Sequence, residues 1–200
     1  MKIDNPIFIL AGKSLSGKTT LIKELEKNKN IKRFITTTTR PPRPGEKNGH
    51  DYFFISNEQF DELNNAGLIV APRIYEPAKE TKDKKWCYGL DANLLKNSDK
   101  TQIVVTDLKG IIDLKDYFNN ENVHVIYLDV SIEEQLSRSK LRDEKYRSEQ
   151  LRRIQADMTD FIGIEKHADL VLKAEKPINE NINLIIKFID YIEALGAYKA

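Results

Sequence analysis

The sequence predicts an α/β fold: a parallel sheet covered by helices, with two polar insertions. Three observations carry this expectation. The apolar runs Ile7–Ala11, Ile103–Val105 and Val123–Leu128 are unbroken, as in strands buried on both faces of a parallel sheet. Helical segments with caps or apolar stripes alternate with them, the pattern of a layered α/β domain. A glycine-bearing loop, Gly12 to Thr19, joins the first run to the helical segment Leu21–Leu25.

That loop reads Gly12-Lys13-Ser14-Leu15-Ser16-Gly17-Lys18-Thr19, the spacing G-x-x-x-x-G-K-[ST] of a P-loop. Its glycines let the backbone wrap a phosphate with N–H groups pointing inward. The lysine reaches the β/γ-phosphates, the threonine hydroxyl suits Mg²⁺, and the positive end of the following helix lies under the anion. The sequence therefore predicts a bound nucleotide.

Further along, Ile31–Ile35 reads as a short strand. It leads into Thr36 to Glu46, where Pro41, Pro42 and Pro44 exclude helix and leave a stiff polar loop carrying Arg40 and Arg43. Arginines at fixed separation suit planar, bidentate phosphate recognition. A solvated loop or a PxxP ligand for an SH3-type partner remains open on these residues alone. Asp51–Ile55 predicts a strand, and Ser56 caps a helix from Asn57 to Asn65 that stops at Gly67.

The charged segment 76–85 predicts an exposed excursion before Trp86-Cys87-Tyr88-Gly89. A helix from Gly110 to Phe118 follows the Ile103–Val105 strand. Asp107 stands just past that strand's C-terminal end, where open parallel sheets hold ligands, or serves as that helix's N-cap. Ser131-Ile132-Glu133-Glu134 opens another helix, which places Arg138 and Arg142 on one face. The stretch Arg142 to Arg153 has no apolar stripe and reads as a solvated face. Asp169–Leu172 is a last strand. Ile182, Ile185, Ile186, Ile189 and Ile192 then mark a C-terminal helix ended by Gly196.

Composition narrows the functional classes. The chain of 200 residues is 40% hydrophobic, enough for one globular domain with small insertions. Lys+Arg at 32 against Asp+Glu at 31 leaves a net charge of +1, so no global field points to nucleic acid. The single cysteine, Cys87, excludes an internal disulfide and reads as a buried, idle thiol. No apolar run approaches a membrane span and no signal peptide is evident, which predicts a cytoplasmic protein.

The loop Gly12–Thr20, the run Thr36-Thr37-Thr38-Thr39-Arg40-Pro41-Pro42-Arg43-Pro44-Gly45-Glu46-Lys47-Asn48-Gly49-His50-Asp51-Tyr52 and the arginines through Arg153 together resemble the guanylate kinase family. The resemblance covers nearly the whole chain, apart from extra residues around 76–85. It implies a three-layer α/β/α P-loop core (1–35, 96–137 and 156–200), a nucleoside monophosphate (NMP) insertion at 36–95 and a lid at 138–155. The reaction it implies is Mg²⁺-dependent phosphoryl transfer from ATP to GMP or dGMP. Small nucleotides are its only implied partners, and the protein is expected as a monomer or homodimer.

By the same resemblance, Gly12, Ser14, Ser16, Gly17, Lys18, Thr19 and Thr20 would hold ATP, with Thr19 on the metal. Arg40, Arg43, Tyr52 and Tyr88 would hold the acceptor phosphate, and Thr36 and Asp107 its base. Lys18, Arg138, Arg142 and Arg153 would be catalytic. Several positions depart from the family pattern. Leu15 stands at a usual glycine, Ala71 at a base-reading glutamate, and Leu90 at a Ser/Thr. Val105 replaces the first Asp of a D-x-D pair, and Lys173 an Asn near the donor base. Phosphate recognition thus reads as intact and guanine recognition as half present, with Glu76 or Glu80 as candidate replacements. Two other functions fit the residues: a kinase of the same fold for another (d)NMP, and a non-catalytic binding module.

Overall fold

The computed structural model of the chain describes residues 6–28, 30–42, 45–75, 85–96, 100–118, 120, 122–141 and 147–197. Arg43, Arg142, Glu76 and Glu80 lie outside the described residues.

The core is a five-stranded parallel sheet. In chain order its strands are β1 (Ile7–Ala11), β2 (Ile31–Arg33), β7 (Thr101–Val105), β8 (Val123–Asp129) and β9 (Leu170–Lys173); across the sheet they run β2-β7-β1-β8-β9. The unbroken apolar runs have the predicted cause. Successive side chains of a strand point to opposite faces, and here both faces are covered. Ile7, Ile9, Val104, Val123, Val125 and Tyr127 enter one buried cluster with Ile111 and Leu114 of α4 (Leu108–Tyr117). Phe8, Leu10, Ile103, Ile126 and Leu128 enter the other. Leu21, Ile22 and Leu25 of α1 (Lys18–Leu25) and Ile185 and Ile189 of α7 (Ile178–Ala197) cover that face.

A second sheet has four strands, ordered β4 (Phe53–Phe54), β3 (Thr37–Thr38), β6 (Trp86–Asp91) and β5 (Ile69–Tyr75). Ser56 caps α2 (Asn57–Asn65) as predicted. Its hydroxyl accepts from the Gln59 amide at 3.2 Å while the Gln59 side chain accepts from the Ser56 amide at 2.9 Å. Phe60 then packs the helix onto Ile69 and the buried Cys87. The short helix α3 (Ala92–Lys96) leads back to the core.

Several elements differ from expectation. Thr37–Thr38 form a strand instead of part of a loop, because they pair with β4 on one side and β6 on the other. The helix expected from Gly110 starts at Leu108, since Asp107 is its N-cap. Glu134 completes only half a capping box at the start of α5 (Ile132–Lys140). Its amide donates to the Ser131 hydroxyl at 3.2 Å, but its carboxylate turns to Arg138. From Arg147 onward, the charged stretch read as wholly solvated belongs to α6 (Arg147–Asp160), which buries Gln150, Ile154 and Asp157 on one stripe. Gly196 lies inside the last turn of α7 and does not end it.

The capping box closes the first turn of α2 onto its N-cap residue with a bond in each direction. Ser56→Ala removes one of them and should cost ~1 kcal/mol of stability, read by chemical denaturation.

Candidate active site

At the C-terminal end of β1 the chain turns through Gly12 and rises into α1. A Cβ on Gly12 would lie 2.7 Å from the Leu128 carbonyl and 2.8 Å from Ser16 Oγ, so only glycine fits there. Gly17 takes φ 99° as the N-cap of α1. Between them Leu15 has φ 62°, the left-handed conformation that glycine would adopt without strain.

Lys18 curls back over this loop. Its Nζ donates to the carbonyl of Gly12 at 2.5 Å, to that of Lys13 at 2.9 Å and to Ser16 Oγ at 3.4 Å. Burial pushes the Lys18 pKa down to about 8, a fall that the nearby Asp157 carboxylate partly offsets. Thr19 and Thr20, the next residues of the helix, are exposed.

Groups from α5, α6 and the residues after β9 hold the loop from outside. Asp157 Oδ2 accepts from the Ser14 amide at 2.6 Å and from Gln135 Nε2 at 3.0 Å, and Gln135 Nε2 also donates to the Ser14 carbonyl at 2.8 Å. Arg138 donates through Nη1 to the Leu15 and Ser16 carbonyls, each at 3.0 Å. It also donates through Nη2 to the Ala174 carbonyl at 2.8 Å and through Nε to Glu134 at 2.7 Å. Beside the loop lies a cleft of about 440 Å³, lined among others by Leu15, Gly17, Thr20, Arg138, Lys176 and Asn181.

Lys173 pairs with Asp129 at 2.5 Å. Burial would raise the Asp129 pKa, but the Lys173 ammonium outweighs it and holds that carboxyl below its ordinary range. The Asp129 carboxylate also lies 3.9 Å from Lys13. Val105 packs as a partly buried member of the core, and Leu90 is fully inside it.

A second polar cluster sits on the smaller sheet. Arg40 is buried, and its Nη2 meets both Glu46 oxygens at 2.8 and 2.9 Å while its Nη1 donates to the Pro41 carbonyl. The guanidinium carbon lies 5.3 Å from the centre of the Tyr52 ring, whose own centre is 6.0 Å from that of Tyr88. Burial alone would lower the Arg40 pKa, yet the Glu46 hydrogen bond and the Tyr88 contact raise it above the ordinary value. Thr36 directly precedes β3, and its carbonyl accepts from the Phe53 amide.

Asp107 accepts from the Gly110 amide at 2.7 Å, so the N-cap reading holds. It also stands 3.5 Å from Arg73 Nη2.

The structure therefore gathers Gly12, Ser14, Ser16, Gly17, Lys18 and Arg138 in one place and Arg40, Tyr52 and Tyr88 in another. Arg153 is exposed on α6, one turn before Asp157. Gln135, Asp157 and Arg73 were not singled out from the sequence. The signal for Asp157 is the spacing of Gln150, Ile154, Asp157 and Phe161, a helical stripe that hydropathy hides because half of it is polar.

The family model described as guanylate kinase matches residues 4–190. The chain is 32% identical over 197 residues to a guanylate kinase of Wolbachia pipientis wMel, covering 96% of this chain and 90% of the relative. It is 28% identical over 197 residues to one from Wolbachia sp. subsp. Brugia malayi, covering 95% of each. The crystal structure of guanylate kinase from Anaplasma phagocytophilum shares the fold, with a TM-score of 0.67, 24% identity, and coverage of 96% of this chain and 87% of that one. The chain belongs to the guanylate kinase family, a family of nucleoside monophosphate phosphotransferases.

The loop's strain and charge each have a measurable outcome. Leu15→Gly should raise stability by about 1 kcal/mol, because it relieves the left-handed conformation; a loss in chemical denaturation would contradict the strain. The cationic form of Lys18 is the one that attracts phosphate, and its pKa of about 8 means the cation is lost as pH rises through that value. ATP affinity should fall toward tenfold per unit above pH 8, with net proton uptake on binding at pH 8. Calorimetry in buffers of different ionisation enthalpy checks both.

Proposed function

We propose that this chain transfers the γ-phosphoryl group of ATP to GMP or dGMP, giving ADP and GDP or dGDP. The single observation that supports it best is the pairing of two phosphate-fitting sites in one chain. One is a P-loop whose lysine is retained and desolvated. The other is a buried arginine stacked on a phenol on a separate sheet. A site for one nucleotide would need only the first.

In this reading Gly12, Ser14, Ser16, Gly17, Lys18, Thr19 and Thr20 cradle the donor phosphates, and Lys18 turns from the loop carbonyls to the β/γ-phosphates. Thr19, exposed in the first turn of α1, supplies the protein oxygen for Mg²⁺. A hard cation that keeps several waters and takes phosphate oxygens needs only one or two such groups. That fits a chain whose described residues gather no cluster of three or more His, Cys, Asp or Glu. Bound there, the ion would neutralise charge on the phosphates.

Arg40, Tyr52 and Tyr88, with Arg43, hold the acceptor phosphate. Guanidinium groups fix it by charge-assisted bonds, and the phenols donate without adding charge. Thr36 and Asp107 face the acceptor base. The segment 138–155 is the lid, which excludes water that would otherwise hydrolyse ATP. Arg142 and Arg153 approach the transferred group with it. Arg138 works from beneath, where it fixes the Leu15 and Ser16 carbonyls. Catalysis of this kind is positioning and electrostatics, and one well-placed arginine contributes ~10³–10⁵ in rate. The cytoplasm, where ATP and GMP are available, is the compartment this activity needs. No described helix is long and apolar enough to cross a membrane.

ADP release measured with GMP, dGMP, AMP and dTMP tests the reading. Stimulation by GMP or dGMP above the other two is expected, and no stimulation by any acceptor would refute the enzyme. Lys18→Ala should lower kcat by ~10²-fold or more while the protein stays folded.

A further inference from the structure

The strand β5 carries a bulge where the acceptor cleft needs a base-reading group. Val70 pairs with Leu90 and Arg73 with Tyr88, so one extra residue is inserted in β5, and Ala71 takes φ 52° there. A bulge of this kind re-aims the side chain that follows it. Here it sets Arg73 directly across the ladder from Tyr88, on the sheet that holds the acceptor phosphate cluster, and against Asp107 at the end of β7.

The guanidinium is only partly used. Nη1 donates to Asp113 at 2.6 Å and to the Pro72 carbonyl at 2.8 Å, which anchors one edge. The other edge, Nε and Nη2, has no close partner among the described residues: Nε is buried with none, and Nη2 reaches Asp107 Oδ1 only at 3.5 Å. The side chain is 14% exposed, so water does not readily fill the gap. A buried donor left unpaired is costly, and such groups call for an explanation such as a ligand. An Nε/Nη2 edge is a planar fork that takes two acceptors side by side. Next to it, Asp107 is 39% exposed and offers carboxylate lone pairs beyond the one spent on the Gly110 amide.

We propose that Arg73 reads the base of the acceptor nucleotide, donating from Nε and Nη2 to O6 and N7 of a 6-oxopurine while Asp107 accepts from its N1–H. This rests on the nucleotide kinase reading above and names the group that selects its acceptor. Guanine presents N7, O6 and N1–H in that order along one edge, which matches two donors followed by an acceptor. Adenine presents an amino group to the guanidinium and a lone pair to the carboxylate, so both contacts become repulsive. Thymine and uracil place carbon C5 beside the O4 carbonyl, so there the fork finds no second acceptor. Arg73 thus does from the opposite edge of the ring what Ala71 cannot do.

The test compares GMP with 7-deaza-GMP, which lacks only the N7 acceptor, in the wild-type enzyme and in Arg73→Met and Arg73→Lys. The wild type should use GMP roughly ten- to a hundredfold better in kcat/KM, the discrimination expected of one arm of a bidentate purine contact. In both variants the ratio should fall to near one, because lysine keeps the charge but not the fork. A purely structural role for Arg73 would lower both nucleotides alike and leave the ratio unchanged. Equal use of the two by the wild type, or a ratio that persists in Arg73→Met, overturns the assignment and leaves the kinase reading standing. Turnover of neither nucleotide by the wild type overturns both.

Discussion

The shape of the P-loop is the constraint on which the rest of the structure depends. Lys18 is held inside a loop of carbonyl oxygens, where burial makes its charge costly and the nearby Asp157 carboxylate offsets only part of that cost. Leu15 must sit in a conformation that costs an L-residue roughly 1–2 kcal/mol. A loop under such strain keeps its form only if its surroundings over-determine it. Arg138 does this through the Leu15 and Ser16 carbonyls, and the Asp157–Gln135 pair through both polar groups of the Ser14 backbone. The helices α5 and α6 are thus tied to the loop by hydrogen bonds.

The second sheet imposes a complementary requirement. Arg40 is almost fully buried, which would be unfavourable without Glu46 beneath it and the Tyr52 ring against its face. Thr38 helps fix it: the Thr38 hydroxyl donates to the Cys87 carbonyl and accepts from the Arg40 amide, so the residue before the proline run is pinned to β6. The polar threonine run is therefore a short central strand whose hydroxyls complete hydrogen bonding that two ladder residues alone would leave unfinished. The arginine is pre-positioned by backbone, which is what its proposed role on the acceptor phosphate requires.

The sequence made some of this legible and hid the rest for identifiable reasons. The core strands were readable because both faces are buried, so nothing interrupts Ile7–Ala11 or Val123–Leu128. The α2 cap was readable because Ser56 and Gln59 stand at the required spacing. The strand β5 escaped notice because Pro72 and the bulge at Ala71 break its alternation. Arg73 escaped with it: the family pattern draws attention to the missing glutamate at Ala71, whereas the group that meets Asp107 stands two residues later. Asp157 was hidden because a lone carboxylate in a charged helix looks solvated until the helix is seen to bury that face. Each miss is a place where tertiary contact overrides local pattern.

If the two phosphate-fitting sites act on one phosphoryl group, its path can be followed directly, by labelling the γ-phosphate of ATP and tracing it through the reaction with GMP. The label should appear in GDP in a one-to-one ratio with ADP formed, with none released as inorganic phosphate. Label that passes to inorganic phosphate, or that stays on ATP while GMP is bound, would show that the two sites do not share a phosphoryl group.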